Sequence, residues 1–119
     1  MTCLKYLQSL GLLVALGLSA CMDAPPPIGG HLPGVFKEAS DAFDQRVKQR
    51  FAIGTDEAVL RGELAREKFV VKRDPGSPFS FTATYTANEL VCRADWRIGW
   101  SEFAGKIATI GADYAEICL

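Results

Sequence analysis

The chain has 119 residues, yet it holds one histidine, two methionines and no long block of like charge. His31 stands alone in a proline- and glycine-rich stretch, so no serine–histidine–acid or cysteine–histidine arrangement can be assembled around it, and there is no HExxH helix. No glycine-rich phosphate loop is present. Carboxylates are plentiful, but no pattern brings two of them around one substrate. These absences argue against an enzyme and leave no cofactor or metal motif. Basic stripes are missing too. Residues 22–119 carry 12 Lys and Arg against 14 Asp and Glu, a net charge of −2. Nothing there points to nucleic acid as a partner. No apolar run reaches the about 20 residues that a membrane-spanning helix needs.

What is present begins at the first residue. Lys5 is the only charge before an apolar run from Leu10 to Ala20, which has the length of a signal-peptide core. The run ends in Leu18-Ser19-Ala20-Cys21. That ending resembles the lipobox of bacterial lipoprotein precursors. The resemblance implies cleavage before Cys21, which then carries a thioether-linked diacylglycerol and an N-acyl chain such as palmitate. Only a thiol forms the thioether, and small residues before it let the peptide lie extended in a peptidase. The competing reading is an ordinary secretory leader cleaved elsewhere. Two or three acyl chains meet the two-signal requirement for stable anchoring. Met22, not Asp, follows the cysteine, which favours the periplasmic face of the outer membrane.

The four cysteines then sort by role. Cys3 leaves with the leader and Cys21 takes the lipid. Cys92 and Cys118 remain, an even pair in an oxidising compartment, and read as one disulfide. A two-cysteine metal site is the alternative, but it lacks further ligands.

The organisation expected is a signal peptide over 1–20, the lipidated cysteine and a Pro/Gly-rich tether over 21–34, and a small α+β domain over 35–119. Three consecutive prolines favour extended geometry in the tether. Phe36, Ala39, Phe43, Val47 and Phe51 recur at helical period and predict a first helix over 35–51. Gly54 suits a turn, and Thr55 is a candidate N-cap for a second helix over 56–68. Leu60 and Leu64 belong to its apolar face. From Phe69 the period changes to two. Phe69–Lys72 reads as a short strand, and Phe79, Phe81, Ala83 and Tyr85 alternate as a half-buried one. The strongest strand is Cys92–Trp100, with Trp96, Ile98 and Trp100 on its apolar face. A reversal over 101–105 and a return strand from Lys106 complete a hairpin. With its tip at Phe103, Trp96 would face Ile110, and a bulge near Gly111 would bring Cys92 to Cys118. The expected core is Phe36, Phe43, Val47, Phe51, Leu60, Leu64, Trp96, Ile98 and Trp100.

Phe51-Ala52-Ile53-Gly54-Thr55 between the helices, Leu60 and Leu64, and the hairpin around Gly105 resemble the small outer-membrane lipoproteins of the SmpA/BamE group. That resemblance implies two helices packed on a three-stranded antiparallel sheet, a fold shared with beta-lactamase inhibitor protein domains, and a role beside outer-membrane assembly. The Cys92/Cys118 pair departs from the group. The functional expectation is therefore a non-catalytic, lipid-anchored envelope protein that binds another envelope protein. The second expectation is an inhibitor of a hydrolase such as lysozyme or a protease, which an exposed loop at 74–79 or 101–103 would favour.

Overall fold

The computed structural model describes residues 23–119. Cys21 lies outside them. A 3-10 turn over Pro27–Gly29 precedes two helices, α1 (Phe36–Arg50) and α2 (Glu57–Arg66). Four strands follow: β1 (Val70–Arg73), β2 (Phe81–Asn88), β3 (Cys92–Phe103) and β4 (Lys106–Cys118). They form one antiparallel sheet in the order β1-β2-β3-β4. The fold is α+β, as the change of period indicated. The sheet has four strands rather than three, because the Val70–Arg73 segment pairs with Phe81–Thr84 of β2.

Alternation sorts the sheet into two faces. Ala94, Trp96, Ile98 and Trp100 of β3 point to the helices, with Phe81, Ala83, Tyr85 and Ala87 of β2 opposite them. Phe43, Val47, Phe51, Leu60 and Leu64 meet this face and are fully buried, as are Ile98 and Trp100. No polar or charged residue is buried among those described. The one exception in the expected core is Phe36, which is 56% exposed. On α1, Ser40 lies level with Tyr114 and Asp44 with Ala112, through hydrogen bonds from those backbone N–H groups. Phe36 is one turn earlier, at a hollow it lines with Leu32, Trp96 and Tyr114, where its side chain stays largely open to solvent.

Those two bonds also describe what α1 does. β4 is an edge strand, and an open edge invites pairing with another chain. Ser40 and Asp44 occupy two of its outward N–H groups. Nearer the hairpin tip, the junction between the helices lies along the same edge: Gly54 N–H donates to Ile107 O, and Ile107 N–H to Thr55 O. Asp56, rather than Thr55, takes the N-cap position of α2, and its carboxylate pairs with Lys106 instead of capping the helix.

The hairpin register differs from the expected one. Trp96 faces Tyr114, and Ile110 faces Trp100. The turn is Ala104-Gly105, both at positive φ (52° and 78°), between the paired residues Phe103 and Lys106. One extra residue, Ala108, is then absorbed between the Ser101–Thr109 and Glu102–Ile107 pairs. Gly111 sits in regular register against Gly99, so the bulge lies near the tip and not at Gly111. Turn position and bulge together bring Cys92 directly opposite Cys118. Two-residue turns with positive φ at both positions favour Asn-Gly, and alanine is strained there. Ala104→Asn is expected to stabilise the protein by about 1 kcal/mol. A rise in the urea midpoint at unchanged slope would show it.

Trp100 ties α2 to the sheet. Its ring stacks on Phe81 (centroids 5.8 Å apart), the Arg61 guanidinium lies 5.6 Å from it, and its Nε1–H donates to Glu57 Oε2 at 2.9 Å. Burial raises the Glu57 carboxyl, but the bonds from Trp100 and Arg61 outweigh it and hold the group below the ordinary carboxylate range. The unfolded chain therefore takes up a proton at this site before the folded one does. The stability it contributes is present above the ordinary Glu value and lost as pH falls toward the depressed one. Glu57→Gln is expected to flatten the acid side of a melting-temperature profile while leaving its neutral shape unchanged.

Candidate functional site: the strap, the outer face and the apolar end

Residues 23–32 do not stand off the domain as a free tether. They cross the helix-side face of the sheet from the edge of β2 toward α1. Asp23 N–H donates to Asn88 O (3.3 Å), and Asn88 N–H returns to Asp23 Oδ2 (3.0 Å). The Tyr85 hydroxyl donates to Ala24 O at 2.9 Å. Burial and the nearby Asp23 carboxylate both push that phenol up. Ile28 and Gly29 are buried over Trp96, whose Nε1–H donates to Gly29 O at 3.0 Å. A side chain at Gly29 would overlap the indole ring. Arg46 of α1 donates to both Ile28 O and Gly30 O, at 2.8 and 2.7 Å.

Glu67 completes the strap's hold. One carboxylate oxygen accepts from Ile28 N–H at 2.8 Å, and the other from Arg50 at 2.8 Å. Arg50 also reaches Glu63 at 2.8 Å, so one guanidinium joins the ends of α1 and α2. Burial lowers the Arg50 guanidinium, but the two carboxylates more than reverse this. Trp96 is thus a core residue as expected, but its cover is the strap, while Trp100 is covered by α2. Beneath the strap runs a row of rings: Phe69 to Tyr85 (5.7 Å), Tyr85 to Trp96 (5.7 Å) and Trp96 to Tyr114 (5.1 Å). Such contacts are worth about 0.5–1.5 kcal/mol each beyond area burial. Near the end of the strap His31 is exposed, with φ of 56°.

Among the described residues, the other face of the sheet carries no helix. It presents Thr82, Thr84 and Thr86 of β2, Arg93, Asp95 and Arg97 of β3, and Asp113 of β4. Arg97 forms a two-pronged pair with Asp113 across the strands, at 2.8 and 2.9 Å. The Asp113 hydrogen bond is the main reason the Arg97 guanidinium is raised. Thr86 donates to Asp95 at 2.8 Å. Phe79, expected on the helix side with Phe81, lies here instead. It precedes β2, and its ring folds over Gly99 and Gly111, a cross-strand pair where any side chain would meet it. A shallow groove of about 660 Å³ runs between this ring and Arg97 and Asp113. Arg97 pairs with Asp113 and Lys48 with Asp44, while Asp74 also lines the groove; it offers shape, hydrogen bonds and an aromatic edge rather than a nucleophile with a base.

Cys92 and Cys118 lie opposite one another with Cα atoms 4.0 Å apart and their sulfurs at disulfide distance. Glu116 lies beside them. Joined sulfurs offer no thiolate to a metal. The same end of the sheet is apolar and open. Leu90 and Val91 are the central residues of the β2–β3 turn, closed by reciprocal bonds between Glu89 and Cys92. Ile117 and Leu119 stand beside them, with Leu119 N–H donating to Val91 O. Local sequence pattern does not reveal this cluster, because its members come from two separated segments. No helix among the described residues is long and apolar enough to cross a membrane. Comparisons with models of known protein families, with curated proteins and with solved structures found no match to this chain.

Proposed function

We propose that the chain is a lipid-anchored, non-catalytic protein of the cell envelope, held on the periplasmic face of the outer membrane through Cys21 and binding another envelope protein. The observation that carries this reading is the leader ending in Leu18-Ser19-Ala20-Cys21, directly ahead of a segment bonded to the domain. A cysteine pair suited to an oxidising compartment supports it. The partner surface is the uncovered sheet face around Phe79, Thr84 and Arg97. It is shallow, largely paired in charge and rimmed by an aromatic, features that suit a protein surface better than a small substrate. A contribution to outer-membrane assembly follows from the SmpA/BamE resemblance as part of the same proposal.

Crosslinking in intact cells tests it. A photoreactive residue in place of Thr84 should trap one protein in stoichiometric yield, and the same probe at Arg66 on α2 should not. Failure to trap any protein across growth conditions would contradict the reading. One feature favours the inhibitor alternative: Phe103 is 79% exposed at the hairpin tip, poised to enter a cleft. Under that reading Phe103→Ala abolishes inhibition of a lysozyme or protease. A panel of such enzymes left uninhibited at micromolar concentration excludes it.

A further inference from the structure

We infer that the apolar end of the sheet, Leu90, Val91, Ile117 and Leu119, rests on the lipid bilayer and orients the domain upon it. The inference rests on the acylation of Cys21 proposed above. These four side chains are 90%, 61%, 51% and 109% exposed, while the core of the same small domain is closed. Single exposed apolar residues are ordinary, but a contiguous group marks an interaction surface.

The occupant follows from covalent geometry. Asp23 is bonded to Asn88, two residues from Leu90. Cys21 is two residues before Asp23, so their Cα atoms are at most about 7 Å apart whatever the chain does between them. An acylated cysteine there sets the bilayer surface beside this end. A protein partner on the patch would have to fit between the domain and its own anchor. The bonded strap removes the slack that a free tether would give. Lipid is the occupant that the position selects.

Charge fixes the kind of lipid contact. Asp23, Glu89 and Glu116 flank the patch, and Arg93, itself facing Asp95, is the cation beside it. The contact is therefore apolar and shallow, weakened by anionic headgroups and favoured on zwitterionic lipid, unlike that of a basic surface helix. The opposite end of β3 and β4 carries Phe103, also exposed, and supplies the control. With the patch down, the sheet stands on its end and holds the outer face clear of the membrane for a partner.

The test uses the acylated mature protein in zwitterionic vesicles whose acyl chains are brominated. Acylation is verified by intact mass on the same sample. Leu90→Trp and Phe103→Trp are compared with the parent, whose two tryptophans are buried. The tryptophan introduced at 90 is expected to emit at shorter wavelength and to be quenched by bromine, and the one at 103 to be unaffected. Leu90→Asp is expected to speed transfer of the protein between vesicles on the order of tenfold, since one leucine no longer partitions. Acylated protein with no quenching at 90, or equal quenching at both ends, overturns the inference while leaving the anchor standing. A photoreactive residue at 90 that traps a protein instead of lipid in native membranes also overturns it. Material with no acyl mass overturns the anchor, and the inference with it.

Discussion

Trp100→Ala is expected to lower the stability of the domain by about 3–5 kcal/mol. The side chain is the largest of those fully buried in the core. Its removal leaves a cavity between α2 and the sheet that Phe81 and Ile98 cannot fill without moving the strands. It also strips Glu57 of the indole N–H at 2.9 Å. Glu57 keeps only Arg61, which lies at 3.2 Å and itself leans on the Phe81 and Trp100 rings. Whole small domains are stable by about 5–15 kcal/mol, so this single change takes a large share of the total. Trp100→Phe separates the two contributions. It keeps most of the volume and loses the hydrogen bond, and should cost about 1–3 kcal/mol. A double-mutant cycle with Glu57→Gln then isolates the pair, because both groups lie in direct contact. Urea unfolding of the four proteins provides the numbers. A Trp100→Ala protein as stable as the parent would show that α2 is not held through this residue.

Opening the Cys92–Cys118 bridge should cost nearly as much. The cysteines are 26 residues apart in sequence, and the loop-entropy relation for that separation gives roughly 3.5 kcal/mol. Between them lies one continuous hairpin whose strands are paired along their length. Any hairpin that survives in the unfolded chain brings the cysteines together without the bond, so the relation is an upper value. The Cys92→Ser/Cys118→Ser double variant is the clean comparison, since a single change leaves a free thiol. Its urea midpoint should fall, and amide exchange should quicken first at Arg93, Asp95 and their partners on β4. The bridge also braces the turn holding Leu90 and Val91, so fraying there and weakened bilayer contact should appear together. An unchanged midpoint would mean that the bridge adds nothing beyond the register already set by Ala104-Gly105 and Ala108.

Much of this architecture is legible from local pattern, because the signals are local. The stripe Ala39, Phe43, Val47 and Phe51 needs only helical period to be read, and the alternation from Ala94 to Trp100 needs only strand period. The cysteine pair is legible for a different reason: two thiols remaining in a chain whose opening reads as an export leader have few other expected fates. What escapes depends on where separate segments meet. Phe36 continues the α1 stripe without a break, and only the tertiary packing shows that it stays 56% exposed at the start of the helix. The hairpin register turns on whether the tip is Phe103 or Ala104-Gly105, and alanine is not a residue that announces positive φ. Phe79 keeps the parity of Phe81, yet crosses to the other face because β2 starts after it and Gly99 and Gly111 leave room for a ring.

The strap is the most consequential of these. Three prolines and scattered glycines read as a spacer, since such a composition needs no packed core. One apolar residue, Ile28, and one glycine able to lie on Trp96 are enough to dock it. Neither is conspicuous in the sequence. The consequence is functional: with Cys21 acylated as proposed, the anchor would lie within two residues of the bonded Asp23, and the membrane, the bridge and the open face would take fixed places relative to one another.

The claim on which the whole account depends is that Cys21 carries the lipid. Intact mass of the protein extracted by detergent from its native membrane tests it most directly. The expected species is a chain that begins at Cys21, heavier than its polypeptide by a diacylglyceryl group and an N-acyl chain, with no free thiol at Cys92 or Cys118. A chain that retains residues 1–20, or one cut elsewhere that leaves Cys21 as an unmodified thiol, would contradict it.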